Sequence, residues 1–165
     1  MSFNNNAVNT KADRRGERMA IGDISIRVMK QKDLPAIVAI DRKVLGKERK
    51  EYWAQKLEHS RRESPITPLV AELDGKVVGF IIGLASWWEY GVPDNIGWVD
   101  TIGVDPAYQK KGIARALVEE LFTNFKMIDV DTVYTMVDWR NGELLRFFDA
   151  MGFEKGDMLN LRKRL

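Results

Sequence analysis

The 165-residue sequence contains no cysteine and a single histidine, His59. The first absence excludes disulfides, thiolate metal sites and a cysteine nucleophile. The second excludes a histidine-rich metal cluster, so no metal is expected. No apolar run approaches the length needed to cross a membrane, and no basic start followed by an apolar stretch suggests a secretory leader. A cytoplasmic protein without a membrane partner is the expectation. A dominant charge of one sign is missing too, since 26 basic and 24 acidic residues leave a net charge of +2. That balance gives little support to a nucleic-acid partner. The basic clusters at Arg14 and Arg15, Arg61 and Arg62, and Arg162 to Arg164 read as solvated surface.

What is present is the balance of an ordinary globular protein, 45% hydrophobic and 30% charged, at a length that suits one domain. Residues 1–22 are polar and asparagine-rich with no hydrophobic period, and read as a flexible tail before a single domain over 23–165. Ile24, Ile26 and Val28 alternate with polar residues as in a strand. Asp33 is placed to cap a helix with Pro35 in its first turn, ending at Gly46. A second helix is expected over about 48–59, with Tyr52, Trp53 and Leu57 on one side. Two apolar runs flank Asp74-Gly75, which is a strong hairpin signal. IGWVDTIGV reads as the next strand. Ile113, Leu117, Leu121 and Phe125 then recur every four residues, which predicts an amphipathic helix. TVYTMVDW, residues 132–139, reads as a strand. Asn141 caps a last helix closed by Gly152, and the residues from Phe153, with Leu159, Leu161 and Leu165, suggest final strands. The fold class is thus mixed α/β, a mixed sheet with helices packed on it.

The chemistry concentrates in VDTIGVDPAYQKKGIARAL, a strand, a polar loop and a helix start. A helix N-terminus offers unpaired backbone N–H groups and a partial positive charge. Gly112 lets the backbone approach an anion, Ala114 avoids a clash, and Lys110 and Lys111 add charge. The residues alone describe an anion-binding loop, or equally a plain helix start with lysines in water.

Gln109, Gly112 and Ala114 fill the defining positions of a motif, and Val104-Asp105-Pro106 matches the strand end before it. Asn141 to Phe148, followed by Met151-Gly152-Phe153, supplies a second motif downstream. In this pair the chain resembles the GNAT superfamily of N-acetyltransferases, over roughly residues 24–165. The resemblance implies direct transfer from acetyl-CoA to the amine of a small molecule, peptide or protein. The pantetheine arm would lie between two splayed strands against the backbone of Ile102 and Val104. The pyrophosphate would rest on Gln109, Lys110, Lys111, Gly112, Ile113 and Ala114, with Asn141 and Phe148 bordering the cofactor. An N–H near Ile102 or Gly103 would stabilise the oxyanion. Dimers are common in such a family, and no residue here names an interface.

The sequence departs from the family pattern where protons move. The usual tyrosine acid is replaced by Phe148, and a glutamate base often found on the following strand by Met136. By strand alternation Asp100 shares a face with Ile102 and Val104, and Asp138 and Tyr134 share one with Met136. Asp100 is the leading candidate base, with Asp138, Tyr134 and the loop residue Glu89 behind it. Trp87, Trp88, Tyr90 and Trp98 read as an aromatic acceptor rim or as core. Loss of the usual acid and base keeps a second reading open, a catalytically weak acyl-CoA sensor or interaction module.

Overall fold

The computed structural model describes residues 24–87, 95–157 and 159–164. The tail at 1–22 and the candidates Trp88, Glu89 and Tyr90 lie outside the described residues. Five strands form one sheet in the order β1-β2-β3-β4-β5, namely β1 Ser25–Val28, β2 Leu69–Leu73, β3 Lys76–Trp87, β4 Asn95–Val104 and β5 Thr132–Thr135. Neighbours are antiparallel except β4 and β5, which run parallel. Among the described residues four α-helices cover the sheet, α1 Leu34–Leu45, α2 Lys50–Glu63, α3 Ile113–Lys126 and α4 Gly142–Asp149. The mixed α/β architecture expected from the sequence is therefore present. No helix among the described residues is long and apolar enough to cross a membrane.

Local chemistry accounts for most boundaries. Asp74 and Gly75 both take positive φ, 50° and 74°, as a two-residue hairpin requires, and they join β2 to β3. Gly46 ends α1 in the left-handed conformation at φ 72°. Asp33 stands at the start of α1 without capping it through its side chain. It is buried instead, where Arg27 forks onto both its oxygens at 2.8 and 2.9 Å and the Lys30 N–H donates at 2.7 Å. Burial of the charge is offset by that full set of partners.

The core has two halves, one on each face of the sheet. On one face α3 sets down Ile113, Leu117, Leu121 and Phe125, all at most 1% exposed, as the four-residue recurrence predicts. Three glycines let the helix approach closely. A Cβ at Gly79 would lie 3.0 Å from Ile113, one at Gly83 2.5 Å from Leu121, and one at Gly97 2.9–3.1 Å from three atoms of the Phe125 ring. On the other face Trp53 and Leu57 of α2 and Ile37 and Ile40 of α1 pack on Val70, Phe80 and Ile82. Trp53 meets Phe80 edge to face at 5.1 Å. Tyr52 does not share that burial and is 42% exposed.

Two expectations fail toward the C-terminus. The strand expected to reach Trp139 stops at Thr135. Thr135 Oγ1 donates to Val99 O at 2.9 Å, and Asp138 then draws the chain into a turn, accepting from the Arg140 N–H at 3.0 Å while its carbonyl accepts from the Asn141 N–H at 2.7 Å. Side-chain bonds to the local backbone thus replace the ladder. The final strands expected from Phe153 onward are also missing among the described residues. Leu159 and Leu161 are 83% and 85% exposed, so their alternation has no apolar face to bury against.

Candidate active site

The site is built at the parting of β4 and β5. The two strands pair from Ile96 opposite Thr132 to Val99 opposite Thr135, and β4 then runs on alone to Val104. The Asp105 N–H donates to Val78 O at 2.9 Å, which fixes the alternation of the antiparallel ladder with β3. Thr101 and Gly103 accordingly turn their peptide groups toward β3. Ile102 and Val104 turn theirs outward, into the gap left by β5. Of the two N–H groups considered for an oxyanion, the ladder commits Gly103 and leaves Ile102 open.

A slip of one residue shapes the same stretch. Ile82 pairs with Thr101 but Gly83 with Val99, so Asp100 is an extra residue in β4. Gly97 and Val99 face α3 before the slip, and Ile102 and Val104 face it afterwards. Asp100 does not share their face, contrary to simple alternation. Its Oδ2 lies 2.7 Å from Lys56 Nζ of α2, on the opposite side of the sheet, and accepts from Thr101 Oγ1 at 2.9 Å. Burial draws the Lys56 pKa down, but Asp100 and Tyr52 together outweigh it and leave the ammonium above the ordinary lysine value.

Beyond β4 the chain makes a 3-10 turn at Pro106–Tyr108 and a loop into α3. Gln109 Nε2 donates to Val104 O at 3.1 Å and pins the loop to the strand end. Lys110 and Gly112 have φ of 61° and 84°, a winding that turns successive N–H groups inward. The first helical bond of α3 runs from the Ala116 N–H to Gly112 O, and no side chain caps the helix. The N–H groups of Ile113, Ala114 and Arg115 are left for an anion. A Cβ on Gly112 would meet nothing within 4 Å, so the loop is open to its surroundings at that residue. Lys76 and Lys111 each place Nζ 5.3 Å from the Tyr108 ring, adding positive charge beside the loop. Asp105 is 3% exposed and binds Lys43 at 2.7 Å and the Ala107 N–H at 3.1 Å. Burial favours its neutral form, yet these partners hold its pKa below the ordinary aspartate value. Lys43, Lys56 and Lys76 carry no local sequence signal, because each reaches its partner from an element distant in the chain.

The remaining candidates have local roles. Asn141 caps α4, accepting from the Leu144 N–H at 3.1 Å. Phe148 is 4% exposed and lies edge to face with Phe147 and Phe153, so most of its ring is committed to packing. Tyr134 stacks on Trp98 with ring centroids 5.3 Å apart. Asp138 does not continue the face of Tyr134 and Met136, since β5 has ended. Arg140 forks onto its carboxylate and holds its pKa at about 2, which makes it a weak proton acceptor. Met136, 66% exposed, offers no base.

The model of the acetyltransferase (GNAT) family matches residues 34–153. Solved structures share the fold. A transcriptional regulator from Bacillus halodurans C-125 superposes with a TM-score of 0.73 at 18% identity, over 87% of this chain and 100% of that one. An aminoglycoside N-acetyltransferase in complex with CoA gives 0.74 at 14% identity, over 86% and 95%. A ribosomal-protein-alanine N-acetyltransferase from Brucella melitensis biovar Abortus 2308 gives 0.69 at 22%, over 87% and 99%.

Proposed function

The chain belongs to the acetyltransferase (GNAT) family, and from that premise we propose that it moves the acetyl group of acetyl-CoA directly onto a primary amine. The observation that carries this reading is the pairing of two open features on one strand-loop-helix unit. The uncapped N–H groups of Ile113, Ala114 and Arg115 suit a pyrophosphate, and the outward edge of β4 at Ile102 and Val104 suits a pantetheine arm lying as an added strand. Gln109 orders the loop between them, and Lys111 and Lys76 lend charge. Among the neighbours, one is an aminoglycoside N-acetyltransferase bound to CoA and one acts on a ribosomal protein. They support an amine acceptor without choosing its size.

In the proposed reaction most of the acceleration comes from holding amine and thioester in line. The Ile102 N–H is the donor for charge developing on the thioester oxygen. Asp100 is the base, and its oxygen Oδ1 has no bonding partner among the described residues. Tyr134 is read as a wall stacked on Trp98, and Asp138 as a turn residue. With phenylalanine at position 148, water protonates the departing thiolate. The same phenylalanine, with Met136, favours a second reading, an acyl-CoA sensor with little turnover.

Calorimetric titration of acetyl-CoA into the parent protein and into Gly112→Glu tests the site. Saturable binding is expected in the parent and none in the variant, which carries a carboxylate in the loop before α3. Absence of binding by the parent removes the enzyme reading. Binding without acetylation of any amine in a panel of spermidine, an aminoglycoside and lysine- or alanine-bearing peptides favours the sensor.

A further inference from the structure

We propose that Lys56 is a positioning residue for the acetyl transfer, holding Asp100 so that one chosen carboxylate oxygen meets the acceptor amine. This rests on the acetyltransferase reading and on Asp100 as its base. The bulge in β4 turns Asp100 away from α3 and toward α2. There both of its bonds fall on one atom, since Lys56 Nζ and Thr101 Oγ1 reach Oδ2 at 2.7 and 2.9 Å. Two bonds on Oδ2 fix the carboxylate's rotation and leave Oδ1 as the open acceptor. The Lys56 and Asp100 side chains are 21% and 24% exposed, although Asp100 as a whole residue lies at the surface.

Lys56 is itself held. Its ammonium lies 5.6 Å from the Tyr52 ring, and the Arg49 guanidinium lies over the same ring at 4.4 Å. Arg49 in turn forks onto the buried Asp41 at 2.7 and 2.9 Å. A line of contacts thus runs from the α1–α2 layer to the edge of β4. An arginine or lysine placed for its charge alone would need none of this.

The proton path balances. The acceptor ammonium gives one proton to Asp100 Oδ1, and its freed electron pair forms the C–N bond as the C–S bond breaks. The sulfur leaves with its electron pair and receives, through water, the second proton shed by nitrogen. Asp100 then releases its own proton to solvent. Lys56 stays protonated throughout and touches neither reactant.

A double-mutant cycle over Lys56→Met and Asp100→Asn, with Lys56→Arg as the conservative variant, tests the assignment. The probe reaction is acetyl-CoA with the fastest amine of the panel. Lys56→Met is expected to lower kcat about tenfold while changing acetyl-CoA affinity by less than about twofold. Lys56→Arg should recover most of the loss, and Lys56→Met should cost nothing further in the Asp100→Asn background. An equal loss in both backgrounds overturns the proposal, as does a rise in acceptor KM at unchanged kcat, or no change at all. Should Lys56→Met unfold in a thermal melt, Lys56→Gln takes its place in the cycle. An Asp100→Asn variant as fast as an active parent defeats the base assignment alone. A parent that acetylates nothing defeats the acetyltransferase reading and this proposal with it.

Discussion

Asn141 has two ends that do separate things. Its Oδ1 accepts from the Leu144 N–H and starts α4, while its Nδ2 has no bonding partner among the described residues. Stability should follow the oxygen and cofactor affinity the nitrogen. Asn141→Ala is expected to lose about 1 kcal/mol of unfolding free energy, and Asn141→Ser to keep most of it. Both should weaken acetyl-CoA equally in calorimetry if the amide nitrogen pairs with pantetheine, whereas unchanged binding in both would leave the residue a cap. At this scale the sequence is legible wherever a residue acts on its own backbone. Gly112 at φ 84°, Gly152 at φ 88° and Asn141 at a helix start are all of that kind. The direction of Asp100 was not legible. A bulge is a property of two strands, and nothing near Asp100 records that Gly83 pairs with Val99.

Helix α3 owes its seat to residues without side chains. Gly79, Gly83 and Gly97 lie beneath it, and the last sits against a ring too rigid to step aside. Gly97→Ala, which would press a methyl onto Phe125, should cost about 1–3 kcal/mol in urea unfolding. A loss under about half a kilocalorie would mean that the helix can lift off the sheet at little cost. The helix itself was plain in the sequence because one stripe of Ile113, Leu117, Leu121 and Phe125 faces one surface. The hairpin was plain because Asp74-Gly75 has few other uses. The length of β5 and the fate of Leu159 and Leu161 were not, since alternation states a preference and the partner strand decides whether it is met.

Across the molecule, ion-paired carboxylates tie neighbouring elements together. Arg27 joins Asp33 and Glu72, Arg49 joins Asp41, and Lys43 of α1 joins Asp105 at the end of β4. The hydrogen-bonding bases hold Asp33, Asp41 and Asp105 below their usual pKa of 3.8, against the opposing effect of burial. Groups shifted this way contribute fully above their unfolded value and lose the contribution as pH falls through the folded one. Unfolding free energy should therefore be nearly level from neutral pH to about 5 and fall below about 4. Asp41→Asn should cost about 2 kcal/mol at neutral pH, less than a fully enclosed pair because Arg49 is 34% exposed. The gap between variant and parent should close in acid, and a constant gap down to pH 2 would contradict the linkage.

The glycine floor has a consequence for how such a protein diversifies. At Gly79, Gly83 and Gly97 an added methyl would meet Ile113, Leu121 or Phe125 at 3.0 Å or less, so the seat of α3 has little slack at those three positions. The α1–α2 layer is moored instead by a few ion pairs, Arg49 with the buried Asp41 within it and Lys43 with the buried Asp105 at the end of β4. Under the proposed reading, a change of acceptor is accommodated more easily in the first two helices than a change of donor at the seat of α3.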